Sequence, residues 1–331
     1  MTTFTVMTWN LENLFRPGGV SGPRNLEEFD QKLEKLASGI LQIDPDVLAV
    51  QEVGSEDAFA DLQDKLEGRY AYLQLSSQPD ARGIRVGFLS KLPIENSEDI
   101  VAFPPSGLPS VPGIDPAGNL DETTRPSRGA LRILVKPKPD FPVHLITAHL
   151  KSKLLSFPNP SGQPRFTTHD EDERARIGGI ALLQRAAEIV TLRVKATEIL
   201  KHAPGEALIV LGDLNDVTDA ATTQILQGSL GSEIGTTGFN RPDQGDKQRL
   251  FNLAPLILPE RRFSRVFKGN GELIDHIFVS EELLPGQPRA VPIVDSHIDI
   301  IGAMPSIGDD PNERRGKPSS DHAPITARFE L

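Results

Sequence analysis

The chain has 331 residues, enough to bury a large core as one domain or as two. Its 35 basic and 46 acidic residues leave a net charge of −11, so the sequence advertises no broad basic face for nucleic acid, and a diffuse negative field slows the approach of a long polyanion. There is no cysteine, which excludes disulfides, thiolate nucleophiles and thiolate-bound zinc.

In chain order, residues 4–9 read as a buried strand ending at Thr8-Trp9-Asn10. Asn25 caps a helix with Glu28 three residues on, and Phe29, Leu33, Leu36 and Ile40 follow at helical period until Asp44-Pro45 stops it. Residues 46–50 form a short apolar strand running into Gln51-Glu52. Ser55 caps a second helix, with Phe59, Leu62 and Leu66 inward and Gly68 as its stop. Strand-like runs follow at 70–75, 84–90, 100–103, 129–135 and 143–149, interrupted by a Pro/Gly-rich excursion, 104–127, with no periodic segment. A second irregular loop, 154–169, precedes the longest helix, 172–202, whose start Gly178-Gly179 would loosen. Residues 207–211 are a strand ending in Gly212-Asp213, 219–230 a helix, and 273–279 and 323–329 late strands, with loop-rich stretches at 231–270 and 285–319. Many strands with few helices between them point to two mixed sheets packed face to face with helices outside. No linker divides the chain, so one domain over 1–331 is expected. No signal peptide and no membrane-length apolar run is visible, so the chain reads as cytoplasmic, with a monomer plausible.

Several segments end strand-like runs with carboxylates, amides or imidazoles, the mixture that hard-metal phosphoester chemistry needs. Glu52 closes an apolar strand, where a buried carboxylate requires a partner; the bland alternative is an exposed residue starting a loop. Asn10 could tie a turn, and Glu12 is read as solvated or structural. Alternation puts Asp213 and Asn215 on one face with Leu214 turned into the core, and an Asx turn explains them equally well. Asp275 and His276 lie on opposite faces, so one faces the site; His276 is given the structural role. Asp321-His322 enters the last strand from a polar loop. His149, Lys151 and Lys153 alternate onto one face, either as a cationic clamp or as a solvated edge. Arg82, Arg85, Arg125 and Arg128 could add phosphate contacts, although for each a surface role is the simpler reading. Arg174, Arg185 and Arg193 on the long helix are accounted for by ordinary salt bridges.

The wording and order of T-W-N-L-E-N, Q-E-V, A-H-L-K-S-K, G-D-L-N-D, I-D-H-I-F-V and S-D-H-A-P-I resemble the endonuclease/exonuclease/phosphatase superfamily across nearly the whole chain. The resemblance implies an α/β fold, a four-layer α/β/β/α sandwich with the site at one end of the paired sheets. It further implies that Glu52 is the principal Mg²⁺ or Mn²⁺ ligand, helped by Asn10 and Asp321. Asp275 would fix the tautomer of His322, Asp213 and Asn215 would orient the nucleophile and phosphate, and Lys151 and Arg128 would meet the substrate. His149 looks like the second histidine of the pancreatic deoxyribonuclease and sphingomyelinase branches. The site tyrosine of the abasic-site repair nucleases has no counterpart here, since only Tyr70 and Tyr72 occur and both lie in another strand. The resemblance leaves open whether Asp213 or His322 takes the proton from water. The expected activity is a metal-dependent phosphodiesterase acting on nucleic acid, DNA first; the alternatives are a phosphatase or phosphodiesterase of a small metabolite or lipid head group, and a non-catalytic binding member.

Overall fold

Two-residue alternation decides which way each strand faces. In the first strand Phe4 and Val6 turn to one side and Met7 and Trp9 to the other, and all four are buried, so this strand lies between two apolar layers. The computed structural model describes residues 2–108, 110–114, 120–159, 165–228, 234, 247–284 and 291–331. In chain order the elements are β1 (Thr3–Leu14), α1 (Leu26–Ile43), β2 (Val47–Val53), α2 (Glu56–Asp64), β3 (Tyr72–Leu75), β4 (Arg85–Ser90), β5 (Asn96–Ile100), β6 (Val111–Ile114), β7 (Leu120–Thr123), β8 (Ala130–Lys138), β9 (Phe141–His149), α3 (Glu171–His202), β10 (Ala207–Asp213), α4 (Ala221–Gln227), β11 (Phe251–Asn252), β12 (Arg265–Phe267), β13 (Asn270–Glu272), β14 (Asp275–Val279), β15 (Ile293–Ser296), α5 (Ile298–Ile301), β16 (Ser306–Ile307) and β17 (Ile325–Glu330).

One six-stranded sheet runs β15-β17-β1-β2-β4-β3 and the other β11-β14-β10-β9-β8-β5. Between them Phe4, Val6, Ala49 and Phe88 share a core with Ile133, Leu145, Ile209 and Ile277. The outer face of the first sheet, with Met7, Trp9, Leu48 and Val50, is covered by Phe29, Leu33, Leu36 and Ile40 of α1 and Phe59 and Leu62 of α2. The outer face of the second, with Ile146, Leu208, Val210 and Phe278, is covered by Ile189, Leu192 and Ala196 of α3. These four layers are the α/β/β/α sandwich expected. Each large aliphatic side chain buried in them is worth about 1.5–3 kcal/mol relative to exposure.

The caps form as the residues dictate: Asn25 Oδ1 accepts from Glu28 N at 2.9 Å and Ser55 Oγ from Ala58 N at 3.1 Å. Some expectations are corrected. The strand placed at 100–103 lies instead at Asn96–Ile100. It is a polar edge strand paired with β8, which an apolar pattern does not reveal. The excursion 104–127 contains the hairpin β6–β7, held to α3 by Gln184 Nε2 donating to Pro112 O at 2.9 Å. α3 runs unbroken through Gly178-Gly179, and β1 continues past Trp9 to Leu14 through a bulge. The helix expected over 219–230 is α4; its last two positions lie outside the described residues. Among the described residues no helix is long and apolar enough to cross a membrane.

Candidate active site

The site is the polar end of the core between the sheets. The inward stripe of β1 continues from Phe4 and Val6 to Thr8 and Asn10, that of β2 from Val47 and Ala49 to Gln51, that of β9 from Val143 and Leu145 to Thr147 and His149, and that of β10 from Ile209 and Leu211 to Asp213. β14 runs the other way and begins its stripe with Asp275. Register then sets three of these groups side by side: Asp213 pairs across the sheet with His149 on one side and Asp275 on the other. Beneath them Gln51 Nε2 donates to Thr147 Oγ1 at 3.0 Å and to Thr8 Oγ1 at 3.1 Å, bridging the two sheets and satisfying the last buried polar groups before the cleft. The strands approach closely here: at Gly212, φ 146°, a Cβ would sit 2.1 Å from Ala148 O, so only glycine fits.

Asp213 Oδ2 is the centre of the cluster. Asn10 Nδ2 donates to it at 3.0 Å, and the Nε2 atoms of His149 and His322 lie 3.4 and 4.0 Å away. Glu52 Oε1 lies 3.4 Å from Asn10 Nδ2 and 4.0 Å from His149 Nε2. His322 Nδ1 donates to Asp275 Oδ2 at 2.7 Å, and Trp9 Nε1 donates to the His322 carbonyl at 2.7 Å. Ser320 Oγ donates to Asn10 O at 2.6 Å and accepts from His322 N, fixing the Asp321-His322 turn against β1. Asn10, Glu52, His149, Asp213, His322 and Asp321 thus converge on one cleft of about 1250 Å³, from segments more than three hundred positions apart.

Backbone conformation aims several of these groups. Glu12, Asn13, Glu52 and Asn215 have φ of 50°, 56°, 63° and 54°, a region non-glycine residues seldom adopt. The bulge turns Asn13 N onto Glu52 Oε2 at 2.8 Å, and the left-handed Glu52 carries its carboxylate toward the cleft. Asn215 N donates to Asp213 Oδ1 at 2.9 Å and its Nδ2 to Leu150 O at 3.0 Å, so the Asx turn and the cleft-lining position coexist.

Electrostatics separates the two histidines. Burial, and then the charges of Arg128, Arg82, His322 and Arg265, hold His149 well below the usual imidazole range. Burial also works against a charged His322, but Asp275, Asp321 and Asp213 overcome it and push the imidazole up to about 10. Burial, then neighbouring Asp275, push Asp213 up to about 6. At neutral pH the cleft therefore holds a neutral His149, an imidazolium at His322 and a carboxylate at Asp213.

Two donor groups could hold a divalent ion. Asp213, Asp275 and His322 offer atoms within 4.8 Å of one another. Glu52, Asn10, Asp321 and Glu12 line the cleft together, with Asn10 Oδ1 accepting from Glu12 N at 2.9 Å. Burial, and then the Asp321 carboxylate, push Glu12 up to about 7, against the opposing charges of Lys32 and Arg314.

Sequence reasoning missed several supporting residues. Glu12, read as solvated or structural, takes the structural alternative: it is half-buried and paired through both oxygens with Arg314 at 2.9 and 3.1 Å. Lys32 of α1 is buried behind it; burial lowers its pKa while Glu12 and Asp321 support its charge. Arg185 on α3 makes the ion pair expected of it, with Asp216 at 3.1 Å, but it is buried and also donates to the Lys151 carbonyl, while Glu188, not singled out in the sequence, is buried and accepts from the Lys151 amide. Arg128 reaches the cleft, but its Nε is engaged by Asp80 at 3.1 Å and its Nη1 by Leu150 O at 3.0 Å, so it braces the wall rather than presenting a free head. Lys153 pairs with Glu272 at 3.1 Å. His276 is structural as expected, its Nε2 against Asp216 O at 2.9 Å.

The fold is similar to that of truncated TDP2 from Caenorhabditis elegans (18% identity, 99% of this chain and 98% of that chain, TM-score 0.56) and to that of the human Nocturnin catalytic domain with bound sulfate (15%, 99% and 94%, TM-score 0.54). It is also similar to that of ANGEL2, a 2′,3′-cyclic phosphatase, in complex with adenosine-2′,3′-vanadate (15%, 100% and 96%, TM-score 0.57). No curated protein matches the chain. The sequence itself matches the Endonuclease/Exonuclease/phosphatase family over residues 7–322, which takes in every segment that builds the cleft, and the chain belongs to that family.

Proposed function

We propose that the protein is a divalent-metal-dependent phosphodiesterase that cleaves phosphoester bonds in nucleic acid, with DNA as the first strand to test. The observation that carries this reading is the convergence on Asp213 Oδ2 of Asn10, His149 and His322, with Glu52 alongside. The cation is assigned to Glu52, Asn10 and Asp321. The alternative group is placed second because Asp275, bonded to His322 through one oxygen, does not line the cleft, although its other oxygen has no hydrogen bond among the described residues. Glu52 and Asp321 bring two carboxylates to the cleft lining, the oxygen donors that a hard divalent cation takes. A divalent ion bound there supplies neutralisation of the phosphoryl oxygens and acidifies water.

This chain's own residues then divide the work. Asp213, pushed up to about 6, is ionised at neutral pH yet close enough to neutrality to take a proton from the attacking water. His322, whose Nδ1 is held by Asp275 and whose charged form the neighbouring carboxylates favour, is given the hydrogen bond to a phosphoryl oxygen. Lys151 adds charge from the strand end, and neutral His149 orients the phosphoryl group opposite Asn10. The bond from water oxygen to phosphorus forms, the ester P–O bond breaks, and the leaving oxygen takes a proton from solvent.

The ANGEL2 neighbour, described as a 2′,3′-cyclic phosphatase with an adenosine-vanadate bound, supports a nucleotide diester as the chemistry to try. The net charge of −11 favours a second reading, a small phosphorylated metabolite or lipid head group. The test is hydrolysis of bis(4-nitrophenyl) phosphate, duplex and single-stranded DNA, RNA and a monoester with Mg²⁺ or Mn²⁺. Turnover that persists in excess chelator overturns the metal assignment, and steep salt dependence separates a strand from a one-phosphate substrate.

A further inference from the structure

Seven lysine and arginine side chains line the cleft, and four have their charged heads engaged within the protein: Arg314 with Glu12, Lys153 and Arg265 with Glu272, and Arg128 with Asp80 and the Leu150 carbonyl. Among the described residues the heads of the other three, Arg82, Arg125 and Lys151, make no hydrogen bond; Asp80, at 3.7 Å, is the nearest anion to Arg82. These three stand on separate segments: the turn before β4, the strap before β8 and the end of β9.

Specific contacts lock the three segments into one wall. Gln78 Nε2 donates to Pro126 O at 3.0 Å, tying turn to strap. Asp80 accepts from Arg128 Nε at 3.1 Å while also accepting from the amides of Arg82 and Ile84 at 2.8 and 2.9 Å. Arg128 Nη1 donates to Leu150 O at 3.0 Å, tying strap to β9. From below, Glu188 accepts from Ser127 N and Oγ at 2.9 and 2.7 Å and from the Lys151 amide. A second hollow of about 700 Å³ opens between the turn and the strap and shares Asp80, Arg125 and Ser127 with the main cleft. The charge of Arg82 is felt at both His149 and Lys151. The hairpin carboxylates Asp121 and Glu122 also reach the cleft, but they are exposed and water screens them.

Among the described residues this framework presents the Arg125 head with no bond and the Arg82 head with only Asp80 near it, at 3.7 Å, and such a pair suits an anion supplied by the substrate. We propose that Arg82 and Arg125 form a second phosphate subsite beside the reacting one, so that the substrate is a phosphodiester flanked by another phosphate group. An oligonucleotide and a phosphorylated inositol diester share that chemistry. The inference rests on the phosphoester reading above and specifies its substrate class.

The experiment compares the wild type with Arg82→Gln/Arg125→Gln on bis(4-nitrophenyl) phosphate, a short single-stranded oligonucleotide and glycerophosphoinositol 4-phosphate. In the variant, kcat/KM on the preferred two-phosphate substrate, relative to the one-phosphate diester, falls about tenfold through KM, the scale of one lost charge-assisted contact. For a strand, the salt dependence of binding becomes shallower by about 0.7 per arginine. A fall on the oligonucleotide identifies a strand, and a fall on the inositol diester a head group. An unchanged ratio and unchanged salt slope overturn the subsite. A wild type that hydrolyses none of the three overturns the phosphoester reading instead. Should the double variant not melt cooperatively, Arg125→Gln alone decides, because Arg125 is exposed and its head makes no bond to lose.

Discussion

Replacing Asp275 with Asn tests the electrostatic arrangement most sharply. Both members of the Asp275–His322 pair are buried, and they are joined by a 2.7 Å hydrogen bond. Asparagine keeps an acceptor for Nδ1 but removes the charge that most supports the imidazolium. His322 is pushed up from an ordinary 6.5 to about 10. Since its folded pKa is raised, the pair's stabilisation is fully present below about 6.5 and is lost as pH rises through about 10. Each pKa unit corresponds to about 1.4 kcal/mol, which brings the effect to the scale of the about 3–5 kcal/mol seen when a buried ion pair is broken. Urea denaturation of both proteins at pH 6.5 and at pH 9.5 should therefore give a large destabilisation by Asp275→Asn at the lower pH and a small one at the higher, with groups unaffected by the mutation cancelling. Equal destabilisation at the two pH values would refute a charged His322. Turnover should fall less than in His322→Ala, and an equal loss would mean that the pair acts as one unit.

Other outcomes follow from the same geometry. Glu52→Gln should leave the thermal melt unchanged while weakening Mn²⁺ binding by at least about tenfold, a loss that even outer-shell partners of a metal site produce, as read by calorimetric titration. Trp9→Phe strands the buried His322 carbonyl and should cost about 1–3 kcal/mol in urea unfolding; a cost below about 0.5 kcal/mol, typical of a surface change, would contradict that contact. Gly212→Ala forces a Cβ against Ala148 O and should cost about 3 kcal/mol or more, visible as a lowered melting temperature with impaired activity.

Much of the site was legible because strand alternation carries the core stripe straight into it. Asp213, His149 and Asp275 each continue an apolar stripe, so their facing followed from parity, and register brought them together. Glu52 lines the cleft although parity alone would turn it away from Gln51; its left-handed φ is a property of the bulge beside it, which no local pattern announced. Glu12 was set aside as solvated or structural because its partner, Arg314, lies 302 positions away. Arg185 and Glu188 sit on a long helix rich in charged residues, where ordinary salt bridges account for an arginine without a site. Only the packing of α3 beneath the β9 end shows that they hold Lys151. The edge strand β5 was misplaced because its side chains are polar, and the β6–β7 pair escaped notice because four-residue strands, one of them holding Pro112 and Gly113, give little period-two signal.

A crystal structure of the protein soaked with Mn²⁺ and phosphate bears most directly on the account. It should show the cation on Glu52 and Asp321, with Asn10 adjoining, and the phosphate against His149, His322 and Asp213. A cation seated between Asp213 and Asp275, or a phosphate bound away from both histidines, would contradict it.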